Sequence, residues 1–294
     1  MKIYKGTHIA TLYRDILNDL LNTPEYISKP RSMEVKEIIN CVIEVQEPNM
    51  NMYFNEIRSS QEKYIAAELL WYFSGTDKSD FIEKYASMWT SLKDKNNHVN
   101  SAYGYLIFNE HNEHGLTQYD WVISSLIKDK DSRQAFMHFN KPYHQYVGNP
   151  DQVCTLTALF HIRDNKLHMT LNMRSNDVIF GFMTDFTFFN ILHQQVYVHL
   201  KEYYADLKMG SYTHTSHSMH LYERHYKKVE EMLKHDFTPT STPKLNTSII
   251  TEKGKYLEKY NSLFLPIELH GVCTKNGQTE IFDNDVLNWC FSRL

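Results

Sequence analysis

Cysteine is scarce in this sequence, and the cysteines that are present show no pairing pattern. Four cysteines (Cys41, Cys154, Cys273 and Cys290) are spread over 294 residues, and no two of them form a CxxC motif. Isolated cysteines of this kind are typical of free thiols in a cytosolic protein. The sequence also lacks an HExxH motif and any paired Cys/His spacing, so we expect no bound metal despite its sixteen histidines.

An excess of basic residues and a long apolar run are missing as well. The formal net charge is −4, so we expect no basic surface that would bind nucleic acid. No apolar run approaches the ~20 residues that a membrane-spanning helix needs. The first residues, MKIYKGTHIATLYRDIL, lack the apolar core of a signal peptide. These features predict a cytoplasmic protein with neither a nucleic-acid nor a membrane partner.

The sequence does contain enough apolar material for one large domain. Hydrophobic residues make up 42% of the chain and aromatic residues 14%, which allows a substantial core. A stretch rich in proline and threonine, TPTSTPKL, follows residue 237. It predicts a main domain over residues 1–237 and a C-terminal extension over residues 238–294 that packs on the same domain.

The order of predicted helices and strands favours an α+β fold. Apolar residues recur at helical spacing, or along an apolar run, in segments 8–22, 60–73, 117–127 and 184–204. Segments 37–45, 153–163 and 166–174 are predicted strands. A strand after residue 208 and a helix from about His220 complete the prediction. Strands and helices do not alternate regularly, so we expect a mixed β-sheet packed with long helices.

The stretch from Cys154 to Asp185 concentrates the candidate chemistry. It begins with a cysteine in an apolar strand and contains Arg174 at the end of the next predicted strand. A guanidinium beside a thiol favours the thiolate, which can add to an electron-poor carbon. A lone cysteine in a strand is more often a small buried hydrophobe. Asp185, likewise, is suited to cap a helix that starts at Phe186.

Several motifs together resemble the thymidylate synthase superfamily. LNMRSNDVIFGF resembles its RS-x-D-V-x-x-G signature, HLYERH its His-x-Tyr motif and AELLWYFSG its Glu-Leu-Leu-Trp helix. NSAYGYLIF and DSRQAF resemble its Tyr-Gly loop and its Asp-Ser-Arg-Arg turn. The motifs follow the family's order over roughly residues 60–230, so the resemblance does not depend on one short pattern. The sequence is similar in particular to the phage-type deoxycytidylate 5-hydroxymethylases, which act in phage DNA modification.

The resemblance implies a thymidylate synthase-like catalytic domain in which one face of the sheet forms a homodimer interface. It also implies 5,10-methylenetetrahydrofolate as the co-substrate and a pyrimidine nucleoside monophosphate as the substrate. Cys154 would attack C6 of the pyrimidine ring, and Glu68 would manage proton transfers around the base and the folate. Tyr103 would stand in the proton relay. The implied folate-binding residues are Asp177, Trp89 and Glu68.

The same resemblance assigns the nucleotide contacts. Arg174 and Ser175 would hold the phosphate, and Arg133 would reach the same phosphate from the second subunit, so that the active sites are shared. The remaining contacts are His220 and Tyr222 to the sugar hydroxyl, Asp185 to the base and Arg31 in a mobile phosphate loop. For a viral protein, the expected location is the cytoplasm of the host cell.

Four positions depart from the synthase pattern. Thr155 follows the nucleophile, whereas synthases usually carry histidine at this position. The phage hydroxymethylases also carry threonine there. Gln134 replaces the second arginine of the turn, and Ser218 replaces the aspartate before the His-x-Tyr motif. Asp185 stands where members specific for uracil carry asparagine, and this difference bears on the substrate.

The residue at position 185 predicts the base. An asparagine amide matches the N3–H donor and the O4 acceptor of uracil. A carboxylate accepts from the N4 amino group of cytosine and, with one shared proton, also satisfies N3. The predicted reaction is therefore dCMP, methylenetetrahydrofolate and water giving 5-hydroxymethyl-dCMP and tetrahydrofolate.

Other functions remain open from the sequence. A thymidylate synthase or a dUMP hydroxymethylase needs the same nucleophile. A CMP hydroxymethylase is a further alternative, because no residue in the sequence can be identified that distinguishes a ribose 2′-hydroxyl from a deoxyribose. A non-catalytic nucleotide-binding or RNA-binding relative is an alternative of a different class. A metal-dependent hydrolase that uses the histidines is a more distant one.

Overall fold

The computed structural model describes residues 1–246, 248–249 and 284–294. Its contacts divide the chain into two compact units. The first unit comprises residues 1–61, 154–193 and 208–242, and the second comprises residues 62–153, 194–207 and 243–294. The domain boundary at residue 237 stays a prediction, and much of the predicted C-terminal extension lies outside the described residues.

The predicted α+β class is confirmed by ten strands and eight helices within the described residues. The strands are β1 (Lys2–Gly6), β2 (Tyr26–Ser28), β3 (Val35–Val45), β4 (Met52–Phe54), β5 (Phe136–His138), β6 (Thr155–Arg163), β7 (Lys166–Met173), β8 (Asn176–Asp177), β9 (Lys208–Tyr222) and β10 (Thr238–Thr240). The helices are α1 (Ile9–Asn22), α2 (Glu62–Phe73), α3 (Met88–Leu92), α4 (Tyr103–Phe108), α5 (Gln118–Lys128), α6 (Gly181–Lys201), α7 (Tyr226–Met232) and α8 (Asp285–Arg293). In the part of the chain that the structure describes, no helix has both the length and the apolar character needed to cross a membrane.

A mixed sheet forms the framework of the first unit, with strand order β1-β3-β9-β7-β6. Strand β9 runs antiparallel to β3 and parallel to β7, whereas β6 and β7 form an antiparallel hairpin. Asp164 and Asn165 make the hairpin turn with left-handed φ values of 49° and 57°. Aspartate and asparagine tolerate this conformation better than most residues. The predicted strands and their turn are therefore confirmed.

Helix α1 packs on this sheet with the apolar face that its sequence predicts. Ile9, Leu12, Tyr13, Ile16, Leu20 and Leu21 are all buried. The hydroxyl of Tyr13 donates to the backbone oxygen of Val178 at 2.9 Å, so the helix is also fixed by a buried hydrogen bond. The predicted helix over residues 8–22 is confirmed to within one residue.

Helix α2 is buried over most of its length. Every residue from Ile65 to Phe73 is buried, including Glu68. Helix α8 packs against α2 in the second unit, and Arg293 donates to the Glu62 carboxylate at 2.6 Å. The predicted helix over residues 60–73 is confirmed to within two residues, and Glu68 lies in its buried part.

Two predicted helix starts are wrong. Helix α6 begins at Gly181 and not near residue 184, so Asp185 lies in its second turn and cannot be its N-cap. Strand β9 continues through His220 to Tyr222, and α7 begins only at Tyr226. The predicted apolar, central character of the long helix is confirmed, since residues 186–196 are all buried.

The Tyr-Gly pair that the sequence placed in a loop begins the short helix α4. Gly104 lies against α2 so closely that a Cβ atom there would stand 1.7 Å from the backbone oxygen of Tyr72. Any side chain at this position must therefore push the two helices apart.

Replacing Gly104 with alanine is expected to destabilise the second unit by about 3 kcal/mol or more, because the clash is with backbone and cannot be relieved by a rotamer change. Thermal unfolding of Gly104→Ala measures the loss. The matched control is Gly115→Ala, since Gly115 has open space around its Cβ position and a left-handed φ of 73°. Gly115→Ala should lower the free energy of unfolding only by the strain of placing alanine at a left-handed φ. Equal melting temperatures for Gly104→Ala and the wild type would contradict the packing argument.

Candidate active site

The hairpin of β6 and β7 brings Cys154 and Arg174 into contact. The backbone N–H of Arg174 donates to the Cys154 carbonyl at 2.8 Å. The guanidinium Nη2 lies 3.4 Å from the Cys154 sulfur, and Nη1 donates to Ser175 Oγ at 3.2 Å. Ser175 Oγ is itself 3.9 Å from the sulfur. The three predicted residues therefore form one cluster, in which the partly accessible thiol faces a cation.

Asp185 is a further candidate residue in the first unit. Its carboxyl Oδ2 accepts a hydrogen bond of 2.9 Å from Nδ2 of Asn176, and the residue is half-buried. Loss of hydration raises the pKa of Asp185 to about 7, with the Asn176 hydrogen bond acting in the opposite direction. A carboxyl of this kind can hold a proton near neutral pH, which the sharing of a proton with a base requires.

The raised pKa predicts a pH dependence of stability that Asp185→Asn should remove. Because the folded-state pKa of about 7 lies above the ordinary 3.8, the folded chain binds this proton more tightly than the unfolded chain. The stabilisation is fully present below pH ~4 and is lost as the pH rises to about 7, by at most about 1.4 kcal/mol per pH unit. Thermal unfolding between pH 5 and 8 should show the variant gaining stability relative to the wild type up to about pH 7. Parallel curves for the two proteins would contradict this prediction.

His220 and Tyr222 lie on one face at the end of β9. Their rings meet edge to face at 5.1 Å, and Nδ1 of His220 is 3.2 Å from the Ser218 carbonyl. The Ser218 hydroxyl donates to the carboxylate of Glu37 on the neighbouring strand β3. Glu37 thus supplies a carboxylate close to the place where the family carries one at position 218. The two predicted sugar contacts are brought together at one strand end.

Asp177 closes the turn that leads into α6. Its Oδ1 accepts from the backbone N–H groups of Ile179 and Phe180, at 2.8 and 3.3 Å. The Phe180 ring is 45% exposed, and the guanidinium groups of Arg58 and Arg224 lie 5.2 and 5.9 Å from its centre. Within the described residues, no carboxylate forms an ion pair with either arginine. An exposed ring with two cations nearby, of which Arg58 is itself only 7% exposed, is suited to an aromatic ligand that carries carboxylates.

Arg31 lies in an exposed turn between β2 and β3. Arg31 and Ser32 adopt left-handed φ values of 52° and 64°, which non-glycine residues adopt at a cost of about 1–3 kcal/mol each. The register pairs Val35 with both Ser28 and Tyr222, so the turn lies at the same end of the sheet as Tyr222. No hydrogen bond joins Arg31 to the other candidate residues in the described ranges.

In the second unit, a hydrogen-bonded chain links two of the predicted residues. The hydroxyl of Tyr64 donates to the Glu68 carboxylate at 2.8 Å and accepts from the Trp89 indole N–H at 3.0 Å. Glu68 is 5% exposed and Trp89 is 4% exposed. Tyr64 was not among the predicted site residues. Its position four residues before Glu68 on the same helix was the available signal.

Tyr103 and Arg133 occupy different environments in the second unit. The Tyr103 ring is buried, stacked on Tyr72 at 5.3 Å and edge-on to Phe139 at 5.5 Å. Arg133 is exposed and lines an open cavity of about 600 Å³ with Trp121 and other residues of its turn. No ion pair engages Arg133 within the described residues. A cation in this position is available to a ligand or to another subunit.

The structure adds little support for a metal centre. Among the described residues, no group of three or more His, Cys, Asp or Glu side chains could hold a metal ion.

Comparison with known proteins identifies relatives over most of the chain. The family model for thymidylate synthase matches residues 11–269. The deoxycytidylate 5-hydroxymethyltransferase of Enterobacteria phage T4 is 31% identical over 231 residues, which cover 73% of this chain and 86% of the relative. The deoxyuridylate hydroxymethyltransferase of Bacillus phage SP01 is 26% identical over 232 residues, with 76% and 59% covered. The thymidylate synthase of Haloferax volcanii is 23% identical over 242 residues, with 74% and 68% covered.

Proposed function

Because the chain belongs to the thymidylate synthase family, we propose that it is a deoxycytidylate 5-hydroxymethyltransferase that works through a covalent Cys154 adduct. The coarser activity is that of its family: a transferase that moves a folate-borne one-carbon unit to C5 of a pyrimidine nucleotide. The finer proposal rests on one observation above all. Asp185, a half-buried carboxyl with a pKa near 7, stands where members specific for uracil carry an amide.

The first chemical step is nucleophilic attack. Arg174 lies 3.4 Å from the Cys154 sulfur, and a neighbouring cation stabilises a thiolate. The sulfur forms a bond to C6 of cytosine, and the electron pair of the C5–C6 double bond moves to C5. C5 then attacks the methylene carbon of methylenetetrahydrofolate as one of the two bonds from that carbon to nitrogen breaks, and C5 afterwards gives its proton to a base through water. After tetrahydrofolate leaves, water adds to the exocyclic methylene carbon and the thiolate is expelled from C6.

The remaining residues of the first unit hold the nucleotide in this proposal. Arg174 and Ser175 bind the phosphate, for which a forked guanidinium is well suited. Arg31, in its strained exposed turn, closes over the same phosphate. His220 and Tyr222 hydrogen-bond the sugar hydroxyl. Asp185 accepts from the N4 amino group and shares its proton with N3 of the base.

The residues present also fit the folate co-substrate. Its glutamate carboxylates and aromatic ring match the exposed Phe180 ring, whose centre lies 5.2 and 5.9 Å from the guanidinium groups of Arg58 and Arg224 and which follows Asp177 closely in sequence. In the second unit, Glu68 is held by Tyr64 and is thereby linked to Trp89. A buried carboxyl in such a chain is suited to proton transfer through water. Tyr103 completes the proposed relay.

A stable adduct with a substrate analogue tests the covalent step. A 5-fluoropyrimidine nucleotide blocks loss of the group at C5, so the reaction should stop with the protein, the nucleotide and the folate joined. Mass spectrometry of the wild-type protein with 5-fluoro-dCMP and methylenetetrahydrofolate should show both masses added to the peptide that contains Cys154. A non-catalytic nucleotide-binding relative would bind the nucleotide and form no adduct.

We further propose a homodimer with shared active sites, in which Arg133 binds the phosphate held by the partner. The exposed position of Arg133, without an ion pair in the described residues, supports this arrangement. Pyrimidine nucleotide pools of a phage-infected cell are the setting we propose, in line with the phage relatives.

Shared sites predict that two inactive variants will complement each other. Mixing Cys154→Ala chains with Arg133→Ala chains should restore activity, because one site of each mixed dimer carries both wild-type residues. If subunits exchange freely, half of the dimers are mixed and about a quarter of wild-type activity is expected at most. The control is each variant incubated alone. Absence of recovery after subunit exchange has been demonstrated would count against the shared site.

A further inference from the structure

Asp185 is the accessible end of a chain of four polar side chains that runs into the core of the first unit. Asn176 donates Nδ2 to Asp185, and its Oδ1 lies 3.0 Å from Nε2 of His214. Nδ1 of His214 lies 3.1 Å from the hydroxyl of Tyr212. Asn176 is 3% exposed, and His214 and Tyr212 are fully buried, whereas Asp185 keeps part of its surface accessible. This row of hydrogen bonds therefore ends in the core at Tyr212 and ends at a partly accessible residue, Asp185.

The hydrogen bonds in this chain all point the same way. Burial lowers the pKa of His214 to about 3, so its imidazole is neutral and carries one N–H. An ionised Asp185 can only accept, so the Asn176 amide offers N–H to it and turns its oxygen to His214. His214 then donates from Nε2 and accepts from Tyr212 at Nδ1. Tyr212 and His214 thus hold the amide nitrogen of Asn176 toward Asp185.

Helix α6 leaves room for this pair by beginning with a glycine. A Cβ atom on Gly181 would lie 3.2 Å from Nδ2 of Asn176 and 3.4 Å from Oδ2 of Asp185. Both distances are at the short limit of ordinary contacts, so a side chain at this position would crowd the amide and the carboxyl. Gly181 is also the glycine of the RSNDVIFG run.

We propose that Asn176 is a positioning residue for base selection, which occupies Oδ2 of Asp185 and thereby directs the carboxyl proton to Oδ1, where N3 of cytosine accepts it. The inference rests on the proposed function, since it requires that Asp185 face the base. A carboxylic hydroxyl oxygen is a poor acceptor, so a fixed N–H donor at Oδ2 disfavours protonation there. The second lone pair of Oδ2 remains for the N4 amino group. Uracil has a donor at N3 and an acceptor at O4, which is the reverse of cytosine, so this arrangement of the carboxyl rejects it.

The dCMP:dUMP ratio of kcat/KM tests this role. Asn176→Ala should lower the ratio by about tenfold or more, in line with the loss of a hydrogen bond to a charged group. Asn190→Ala is the matched control. Asn190 lies on α6, the helix that carries Asp185, and its buried amide has no hydrogen-bond partner within the described residues. Asn190→Ala shows the general effect of removing a buried amide. Its dCMP:dUMP ratio of kcat/KM should equal that of the wild type.

Gly181→Ala provides a second variant that keeps every polar group. Gly181 does not adopt a left-handed φ, and alanine is a better helix former than glycine. Its melting temperature should therefore not fall, while crowding of Asn176 and Asp185 should still lower the ratio. A folded Asn176→Ala or Gly181→Ala enzyme with the wild-type ratio would overturn the inference. A wild-type enzyme with no preference for dCMP would be a different result, because it would overturn the proposed function itself.

Discussion

Replacing Cys154 with alanine or serine is expected to abolish turnover and to leave nucleotide binding largely intact. In the proposed mechanism the sulfur forms the bond to C6 that turns C5 into a nucleophile, so removing it should lower kcat by roughly 10⁴-fold or more. The proposed phosphate and sugar contacts do not involve the thiol. Release of tritium from C5 of labelled dCMP measures turnover, and calorimetric titration with dCMP measures binding.

Cys41 offers a matched control for this experiment. It lies in β3, is fully buried, and burial raises its pKa to about 12, so its thiol is unreactive. Cys41→Ala should remove a thiol of the same type, cost some stability and retain turnover. Appreciable turnover by Cys154→Ala, or inactivation of folded Cys41→Ala to the same extent, would end the covalent proposal.

Asp185→Asn is expected to move the base preference from dCMP toward dUMP. In the proposed site the carboxyl accepts from N4 and shares a proton with N3, whereas an amide matches the N3–H and O4 groups of uracil. Leaving buried polar groups unpaired can cause rejection by as much as ~10⁴-fold, and an ordered water that bridges part of the mismatch reduces the shift. Asn176 also limits the shift, because its N–H favours the introduced amide oxygen at the position of Oδ2, which faces O4 of uracil in the proposed site. Steady-state kinetics with both nucleotides measures the change.

Asp151→Asn is the control for the loss of a buried carboxyl in general. Asp151 is 4% exposed and accepts from the backbone N–H of Ser101 at 2.7 Å. This substitution should affect stability and leave the base preference unchanged. If Asp185→Asn keeps the preference for dCMP, the carboxyl does not select the base.

Much of the first unit was predictable because its signals are local. The apolar periodicity of α1 and the hairpin of β6 and β7, with its Asp164-Asn165 turn, depend on residues close in sequence. The contact between Cys154 and Arg174 follows from the same hairpin register, since Thr155 pairs with Met173. Motif order supplied the candidate residues.

The errors share a physical cause, which is that tertiary contacts override local patterns. Helix α2 is buried from Ile65 to Phe73, and helix α8, which packs on it, is distant in sequence. The long helix was predicted to start near residue 184, although α6 already begins at Gly181. Asn176 and Tyr64 gain their importance from the partners Asp185 and Glu68 in the fold. Helical spacing gave a signal for Tyr64, whereas no spacing rule reveals the contact between Asn176 and Asp185.

The central claim is tested most directly by identifying the product that the pure protein makes. The protein is incubated with methylenetetrahydrofolate and, separately, with dCMP, CMP or dUMP. Mass spectrometry distinguishes a methyl from a hydroxymethyl product, and absorbance distinguishes dihydrofolate from tetrahydrofolate. We expect 5-hydroxymethyl-dCMP and tetrahydrofolate from dCMP, with little reaction of dUMP. Reaction of dUMP alone with accumulation of dihydrofolate would contradict the account and identify a thymidylate synthase.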